Sequence, residues 1–403
     1  MSKEKIISSL DNLIFACLVL YSLSFFTAMP INFLVTAFIL GIIKIIFYKN
    51  KNFLEIHSKH LIFISLFILC TFITVCINTN ASFSYYRSYY ISPLVALLLP
   101  LLFSFTYKKI ITLLTLISLI FFLNACYINY QFIQNITTER PDGFFNGYML
   151  LCGMNLLILP ILLTLSIHKN NLPKHMRIFF FITILVNIPA IVFENTRIVW
   201  ISLSFVFPFI IFLSIKNKIK AFLLIIIMFF YSFCCFQFSP HSTQRLETIS
   251  STSSTVQPNY ERILMWNSAT NMFLDHPITG VGIGNYHKEY VSHYQSPLSK
   301  ENQYHPHNVL LSMLAQSGLI GTIGYLLLFI YLYYKSISNY IKDKNIIDLT
   351  FLSSLLAFSL NGLTDCNFVG HNLKELTYMF YFITGMYLAC KKYIIHTKLI
   401  VFK

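Results

Sequence analysis

Residues 178–215 read IFFFITILVNIPAIVFENTRIVWISLSFVFPFIIFLSI, in which two apolar runs, 178–194 and 198–215, meet at Asn195-Thr196-Arg197. Each run is close to the ~20 residues that an α-helix needs to cross a bilayer. A helix in lipid satisfies its backbone hydrogen bonds within itself, so runs of this kind predict membrane-spanning helices. The stretch therefore predicts a helical hairpin in a membrane, with an arginine at its turn.

Similar runs recur along almost the whole chain. Of its 403 residues, 56% are hydrophobic and 11% are charged, which excludes an ordinary soluble globular protein. No small-residue cleavage site follows the first run, so a retained helix is predicted there and not a removed signal. The sequence predicts an all-α polytopic integral membrane protein with about twelve spans. These spans are residues 12–28, 30–48, 61–78, 89–106, 110–128, 146–167, 178–194, 198–215, 220–238, 308–334, 346–363 and 373–390.

Lysine and arginine fall on opposite sides of these spans. Twenty of the 23 lysines lie on the side of the two termini, and five of the six arginines lie on the other side. Cytoplasmic loops are normally enriched in both residue types, so the lysines predict cytoplasmic termini and the arginines depart from the rule. The formal charge of +14 is mostly an orientation signal, and its scatter over seven segments argues against nucleic-acid binding. The outer arginines are Arg87, Arg140, Arg197, Arg245 and Arg262.

One connection, residues 239–307, is much longer than the others and lies on the arginine side. Loops of this length are usually functional or form a small domain. It contains a predicted helix, Asn259–Leu274, a glycine-rich turn, Gly280–Gly284, and six of the twelve histidines. The turn does not match a nucleotide-binding GxGxxG and follows a helix, so it is interpreted as a turn that folds the loop helix back on the membrane. The predicted organisation is 1–238 with nine spans, 239–307 as a large outer loop with short helices, and 308–403 with three spans and a cytoplasmic tail.

Arginine suits phosphate because its planar guanidinium can donate two parallel hydrogen bonds to one anion. Arg197 lies at the outer end of its span, Arg262 lies one turn into the loop helix, and Arg87 lies just outside the membrane. If these arginines lie at the same depth at the membrane surface, together they would bind a diphosphate whose lipid tail remains in the bilayer.

Several of these features also have simpler interpretations. Any single arginine can pair with an acid or reach lipid headgroups. Arg140, beside Glu139 and Asp142, and Arg245, beside Glu247, are interpreted as paired surface groups. A tyrosine cluster around Arg87 could stack on a sugar, but an interfacial aromatic belt is favoured. Its members are Tyr85, Tyr86, Tyr89 and Tyr90.

The long loop ends in His305-Pro306-His307-Asn308, at the mouth of the tenth span. A histidine, with an unperturbed pKa of about 6.5, can act as a base near neutral pH. Metal ligation by His305 and His307, with His287 or His293, is an alternative. Two histidines two residues apart, without cysteines or a helical spacing, are a weak metal signal.

Three motifs in residues 195–325 resemble the O-antigen ligase/polymerase superfamily, and the layout of the whole chain is similar to it. The histidine signature combines His307-Asn308 with a glycine after nine residues and a second glycine three positions later. The other two motifs precede it in the chain. In order, the matching residues are Arg197, the loop block Glu261–Trp266 with Asp275–Tyr286, and His307-Asn308 with Gly318 and Gly321.

The resemblance implies a GT-C-like membrane glycosyltransferase that needs no cofactor and no metal. It would transfer O-antigen polysaccharide from undecaprenyl diphosphate to the lipid A–core oligosaccharide, by an inverting displacement at the periplasmic face of the bacterial inner membrane. His307, Arg262 and Arg197 are the expected catalytic residues, with the arginines on the diphosphate and His307 as base on the acceptor hydroxyl. The expected substrate-binding residues are Arg87, by position only, and Asn308, Tyr286 and Glu261.

Three other functions remain as alternatives. An O-antigen polymerase would use the same kind of donor with a second lipid-linked glycan as acceptor. A flippase or transporter would need ionisable residues at mid-membrane depth, where only Lys44 is plausible, near the cytoplasmic end of its span. A structural scaffold leaves the histidine-rich loop unexplained. The oligomeric state and the acceptor sugar are left open.

Overall fold

The fold was obtained as a computed structural model, which describes residues 3–24, 30–48, 58–102, 107–136, 140–141, 143–145, 147–168, 172–251 and 257–397. The regular structure in these ranges is helical throughout. Within them, seven helices are long and apolar enough to cross a membrane. The described part of the chain is therefore all-helical and has the character of a membrane protein, and the full number of twelve spans stays a prediction.

The helices follow one another with short connections except in the large loop. Two of them, α4 and α13, continue directly into single π-helical turns, Arg87–Ile91 and Tyr290–Tyr294. In chain order the helices are α1 Lys3–Leu23, α2 Pro30–Tyr48, α3 Ser58–Ile77, α4 Phe83–Tyr86, α5 Leu94–Leu102, α6 Tyr107–Ile133, α7 Tyr148–Ile167, α8 Lys174–Phe193, α9 Arg197–Ser214, α10 Lys218–Gln237, α11 Pro240–Glu247, α12 Gln257–Asp275, α13 Tyr286–Glu289, α14 Val309–Asp343, α15 Ile346–Asn361 and α16 Lys374–Thr397.

Helix α7 lies at the centre of the bundle. All its residues from Leu151 to Ser166 are buried, and it packs against α8, α9, α15 and α16. A helix that is apolar on every side is expected to be enclosed by other helices. By contrast, α10 is largely exposed and lies at the edge of the bundle. In a membrane its exposed apolar side chains would contact lipid.

The large loop packs onto a break in α14. At Gly318 the backbone has φ 57° and ψ −156°, a conformation essentially restricted to glycine. The Leu319 amide donates to the Pro277 carbonyl at 2.8 Å, and the Val281 amide donates to the Ala315 carbonyl at 2.8 Å. A Cβ atom on Gly318 would lie 2.4 Å from the Ile278 carbonyl oxygen. The glycine-rich turn therefore folds the loop back onto a membrane helix.

The tyrosine cluster differs from the predicted interfacial belt. Tyr86 and Tyr90, one helical turn apart, are buried and stack on each other with ring centroids 5.2 Å apart. Tyr85 and Tyr89, on the next face of the same segment, stack at 4.1 Å and are partly exposed. Residues four apart lie on the same face of a helix, so Tyr86 and Tyr90 enter the core together. The number of aromatic residues near an interface does not reveal which of them are buried.

Candidate active site

A cavity of about 290 Å³ lies beneath the large loop, at the N-terminal ends of α7 and α9. Four of the five outer arginines line it, together with the acids Glu261, Glu301 and Asp365 and with His307. We call it the arginine cavity. Its arginines are Arg140, Arg197, Arg245 and Arg262. Burial, followed by the charges of the other three guanidinium groups, lowers the pKa of Arg245 to about 10, so these cations lie close together.

Arg197 holds the loop against the first turn of α9. Its Nε donates to the Arg245 carbonyl at 3.0 Å, and its two terminal nitrogens donate to Asn259 Oδ1 at 2.8 Å and Thr248 Oγ1 at 2.7 Å. A guanidinium has five N–H groups, so these bonds leave two for a ligand. The residue thus joins α9, α11 and α12 and still faces the cavity.

Arg262 and Arg245 present donors that the described protein atoms do not satisfy. The Nε atom of each is buried and has no hydrogen-bond partner within the described ranges. Burial lowers the pKa of Arg262, although the nearby Asp365 carboxylate acts in the opposite direction. Because an unpaired buried donor is costly, two such atoms in one cationic cavity point to an anionic ligand.

His307 lies on the same cavity and is paired with Asp365. The imidazole Nδ1 is 3.3 Å from Asp365 Oδ1, and both side chains are buried. Burial by itself raises the pKa of Asp365, but the hydrogen bond and charge of His307 outweigh it and lower the pKa overall. An ionised Asp365 fixes the proton on Nδ1 and leaves Nε2 free to accept one. His307 also has φ 49°, an uncommon value for a side-chain-bearing residue.

His305 packs edge-on against His307, with ring centroids 4.5 Å apart. Its Nδ1 is buried without a partner in the part of the chain that the structure describes, and burial followed by the charge of His307 lowers its pKa to about 4. Ligand atoms of His305, His307 and Asp365 lie within 4.8 Å of one another, close enough to share a metal ion. His287 and His293, the third ligands considered in the metal-binding alternative, lie outside this group and contact Tyr304 and Glu289 instead.

The remaining predicted residues take different positions. Glu261 lines the cavity, but its carboxylate accepts from Ser299 Oγ at 2.7 Å and the Lys300 amide at 2.9 Å, which ties the end of the loop to α12. Asn308 caps α14 by accepting from the Leu311 amide. Tyr286 is buried in the separate core of the loop, and Arg87 is exposed. Neither of these last two residues contributes to the cavity lining.

Sequence reasoning missed three residues of the site. Asp365 belongs to no motif, and its pairing with His307 follows only from the packing of α15 beside α14. Arg245 was interpreted as a paired surface residue, and this is wrong because it is half-buried in the cavity. Arg140 also lines the cavity and lies 4.5 Å over the Tyr148 ring, whereas its acidic neighbours Glu139 and Asp142 lie outside the described residues. The one sequence feature that indicated a role for Arg140 and Arg245 was the separation of arginines from lysines on opposite sides of the predicted spans.

These features define a class: a helical membrane protein with a cationic cavity and a buried histidine–aspartate pair beneath the large loop, at one end of its bundle. Residues 180–326 match the family model Wzy_C, described as O-Antigen ligase, and this match supports membership of the O-antigen ligase superfamily. The family covers O-antigen ligases and polymerases, whose activity is of the membrane glycosyltransferase type. The match includes Arg197, Arg262 and His307, whereas Asp365 lies beyond it. No curated protein matches the chain.

Proposed function

We propose that the protein is an O-antigen ligase that transfers O-antigen polysaccharide from undecaprenyl diphosphate to the lipid A–core oligosaccharide. The observation that carries this proposal is the pair of buried, unsatisfied guanidinium donors on Arg245 and Arg262, in the same cavity as His307. Arginines can hold a diphosphate leaving group without a metal. A buried histidine beside an ionised carboxylate can serve as the base for a sugar hydroxyl.

The reaction is a single inverting displacement. The acceptor hydroxyl oxygen attacks the anomeric carbon of the donor as its proton passes to His307 Nε2, and the bond from that carbon to the diphosphate breaks. Asp365, on the opposite side of the imidazole, stabilises the imidazolium. The negative charge that develops on undecaprenyl diphosphate is balanced by the cavity arginines, chiefly Arg262 and Arg245.

The contacts favour positioning roles for several of the predicted site residues. Arg197 and Glu261 hold the loop that carries Arg262 and leads to His307, and Asn308 fixes the start of α14. Direct substrate contacts of Glu261, Asn308, Tyr286 and Arg87 stay predictions. The proposal also includes twelve spans of GT-C-like architecture, the division at residues 238 and 307, the bacterial inner membrane, a periplasmic active site and two cytoplasmic termini.

An O-antigen polymerase is the second candidate, because the family includes both activities. A gel of lipopolysaccharide from a strain lacking this protein separates them. Loss of a ligase leaves lipid A–core alone, with polymer retained on the lipid carrier. Loss of a polymerase leaves core bearing a single repeat. A ladder identical to the wild type would contradict both functions.

A transporter receives less support from the charges in the helices. Lys44 Nζ pairs with Asp11 at 2.5 Å, and Lys391 Nζ pairs with Asp348 at 2.8 Å, so these four groups neutralise each other. The concentrated charge lies in the arginine cavity at the outer end of the bundle. Interfacial chemistry fits this distribution better than a charged path at mid-membrane depth.

A further inference from the structure

The segment that carries His307 has no regular structure of its own. Residues 301–307, which we call the His307 segment, lie outside any helix, immediately before the N-cap of α14. His307 itself has a φ of 49°, a left-handed value that costs free energy and persists only when the surrounding structure holds it. Its imidazole stays 3.3 Å from Asp365 only while the segment keeps its place. Contacts elsewhere on the segment therefore determine where the proposed base lies.

Tyr304, three positions before His307, lies between the rings of two histidines. His287 stacks on Tyr304 with ring centroids 4.0 Å apart, and His371 stacks on it at 4.5 Å. Two rings at these distances cannot share one face, so they cover opposite faces of the tyrosine. His287 Nδ1 also donates to the carbonyl of Gln303, the neighbour of Tyr304 in the chain, at 3.1 Å. The His307 segment is thus held by both faces of one aromatic ring.

His371 is held in turn by α4 and the π-helical turn that follows it. The rings of Tyr85 and Tyr89 lie nearly parallel to its imidazole, and each ring centroid is 6.3 Å away. The Tyr85 hydroxyl donates to the Val369 carbonyl at 3.1 Å, and the Asn372 amide donates to the Tyr89 hydroxyl oxygen at 3.3 Å. Val369 and Asn372 have positive φ values of 50° and 61°, an outlier for the β-branched valine. The backbone on both sides of His371 is therefore held in an uncommon conformation.

One connection of the chain contacts the His307 segment at two places. Residues 362–373 join α15 to α16 and contain both Asp365 and His371. Asp365 pairs with the imidazole of His307, and His371 stacks on Tyr304. Because both contacts act on the same short segment, a shift of Tyr304 would move His307 relative to Asp365. Uncommon backbone conformations on both partners, at His307 and around His371, suit a site where position matters.

We infer that Tyr304 and His371 are positioning residues that hold His307 against Asp365 and so keep its Nε2 in place for the acceptor hydroxyl. The inference rests on the proposed function, in which His307 is the base. The stack uses the faces of the Tyr304 ring, so the tyrosine hydroxyl is not required. Loss of a positioning residue lowers the rate of the chemical step more than it weakens substrate binding.

Variants that remove or keep the rings test this role. Tyr304→Leu and His371→Leu each remove one ring at a position that is not buried, whereas Tyr304→Phe keeps the ring. We expect kcat to fall by about 10- to 100-fold in both leucine variants, with little change in KM for donor or acceptor. Tyr304→Phe should match the wild type. His293→Leu is the control, because its side chain is in the same loop, is 68% exposed and is not part of the stack.

A double variant tests whether the two rings act as one unit. If both act through the same stack, Tyr304→Leu combined with His371→Leu should lose no more kcat than the more affected single variant. Losses that multiply would contradict a shared stack. A higher acceptor KM with unchanged kcat would also overturn the inference, because Tyr304 would then contact the sugar itself.

A spectroscopic measurement separates this inference from the proposed function. In protein labelled with ¹⁵N in its histidine rings, the Nδ1–H of His307 gives a nitrogen signal that its absence in His307→Ala identifies. Both leucine variants should shift or broaden this signal, whereas Tyr304→Phe and His293→Leu should leave it unchanged. If the wild type transfers no glycan but the signal responds in this way, the proposed function fails and the positioning role stands. Leucine variants that elute as a single species on size exclusion and keep the wild-type signal would overturn the inference, whether or not transfer occurs.

Discussion

Asp365 is the residue on which the proposed chemistry of His307 depends. Its carboxylate lies 3.3 Å from Nδ1, so the proton is held on that nitrogen and Nε2 is left to act as the base. In Asp365→Asn the side-chain amide can donate to Nδ1 and stabilise the wrong tautomer. We expect kcat to fall by roughly 10²- to 10⁴-fold, with little change in the donor KM. Steady-state transfer kinetics measure this, and a change confined to KM would assign Asp365 to substrate binding instead.

His305 should make the stability of the protein depend on pH. Its pKa is about 4 in the folded protein and about 6.5 when unfolded, so the unfolded chain binds more protons between these values. Its stabilising contribution is complete above pH 6.5 and is lost as pH falls through 4. We expect the melting temperature of the wild type to fall over this interval more steeply than that of His305→Gln. Parallel curves for the two proteins would show that His305 is not the responsible group.

At the scale of elements, the docking of the glycine-rich turn on α14 fixes the large loop over the bundle. Gly318→Ala forces an unfavourable backbone conformation, at a cost of about 1–3 kcal/mol, and also places a methyl group against the Ile278 carbonyl. We expect a lower melting temperature, faster proteolysis within residues 239–307 and reduced transfer.

Gly147→Ala is the matched control for this prediction. Gly147 also has a positive φ, 101°, but a Cβ atom there would have nothing within 4 Å. Its substitution introduces backbone strain without the contact to the loop. If both variants showed the same increase in loop proteolysis, strain alone would explain the effect and the docking would not be required.

For the whole molecule, the sequence predicted the features that depend on composition and short motifs. Apolar runs predicted helices, and Arg262 and His307 were predicted as site residues because each belongs to a local pattern. Asp365 was not found, since it lies 58 residues from its partner and only helix packing brings the two together. Arg245 was misinterpreted because an acid two residues away suggested a surface pair. The roles of Asp365 and Arg245 therefore could not be predicted from the sequence, because they depend on contacts between elements that are distant in the chain.

Because His305, His307 and Asp365 lie close enough to share a metal ion, removing metal from the whole protein tests whether transfer depends on one. We expect transfer by EDTA-treated protein in metal-free buffer to equal that of untreated protein, because arginines supply the positive charge at the leaving group. Inductively coupled plasma mass spectrometry on the same samples establishes their metal content. Loss of activity that one particular divalent ion restores would assign these three side chains to a metal site.

The central claim is that the arginine cavity holds the diphosphate of a lipid-linked glycan during transfer to lipid A–core. The most direct test measures transfer in liposomes that contain the purified protein, undecaprenyl-diphosphate-linked O-antigen and lipid A–core. Arg262→Lys keeps the charge but loses the planar fork, and Lys288→Ala removes an exposed cation of the same loop outside the cavity. We predict transfer by the wild type and by Lys288→Ala, and a reduction of about 10- to 100-fold for Arg262→Lys. No transfer by the wild type, or full activity of Arg262→Lys, would contradict the account.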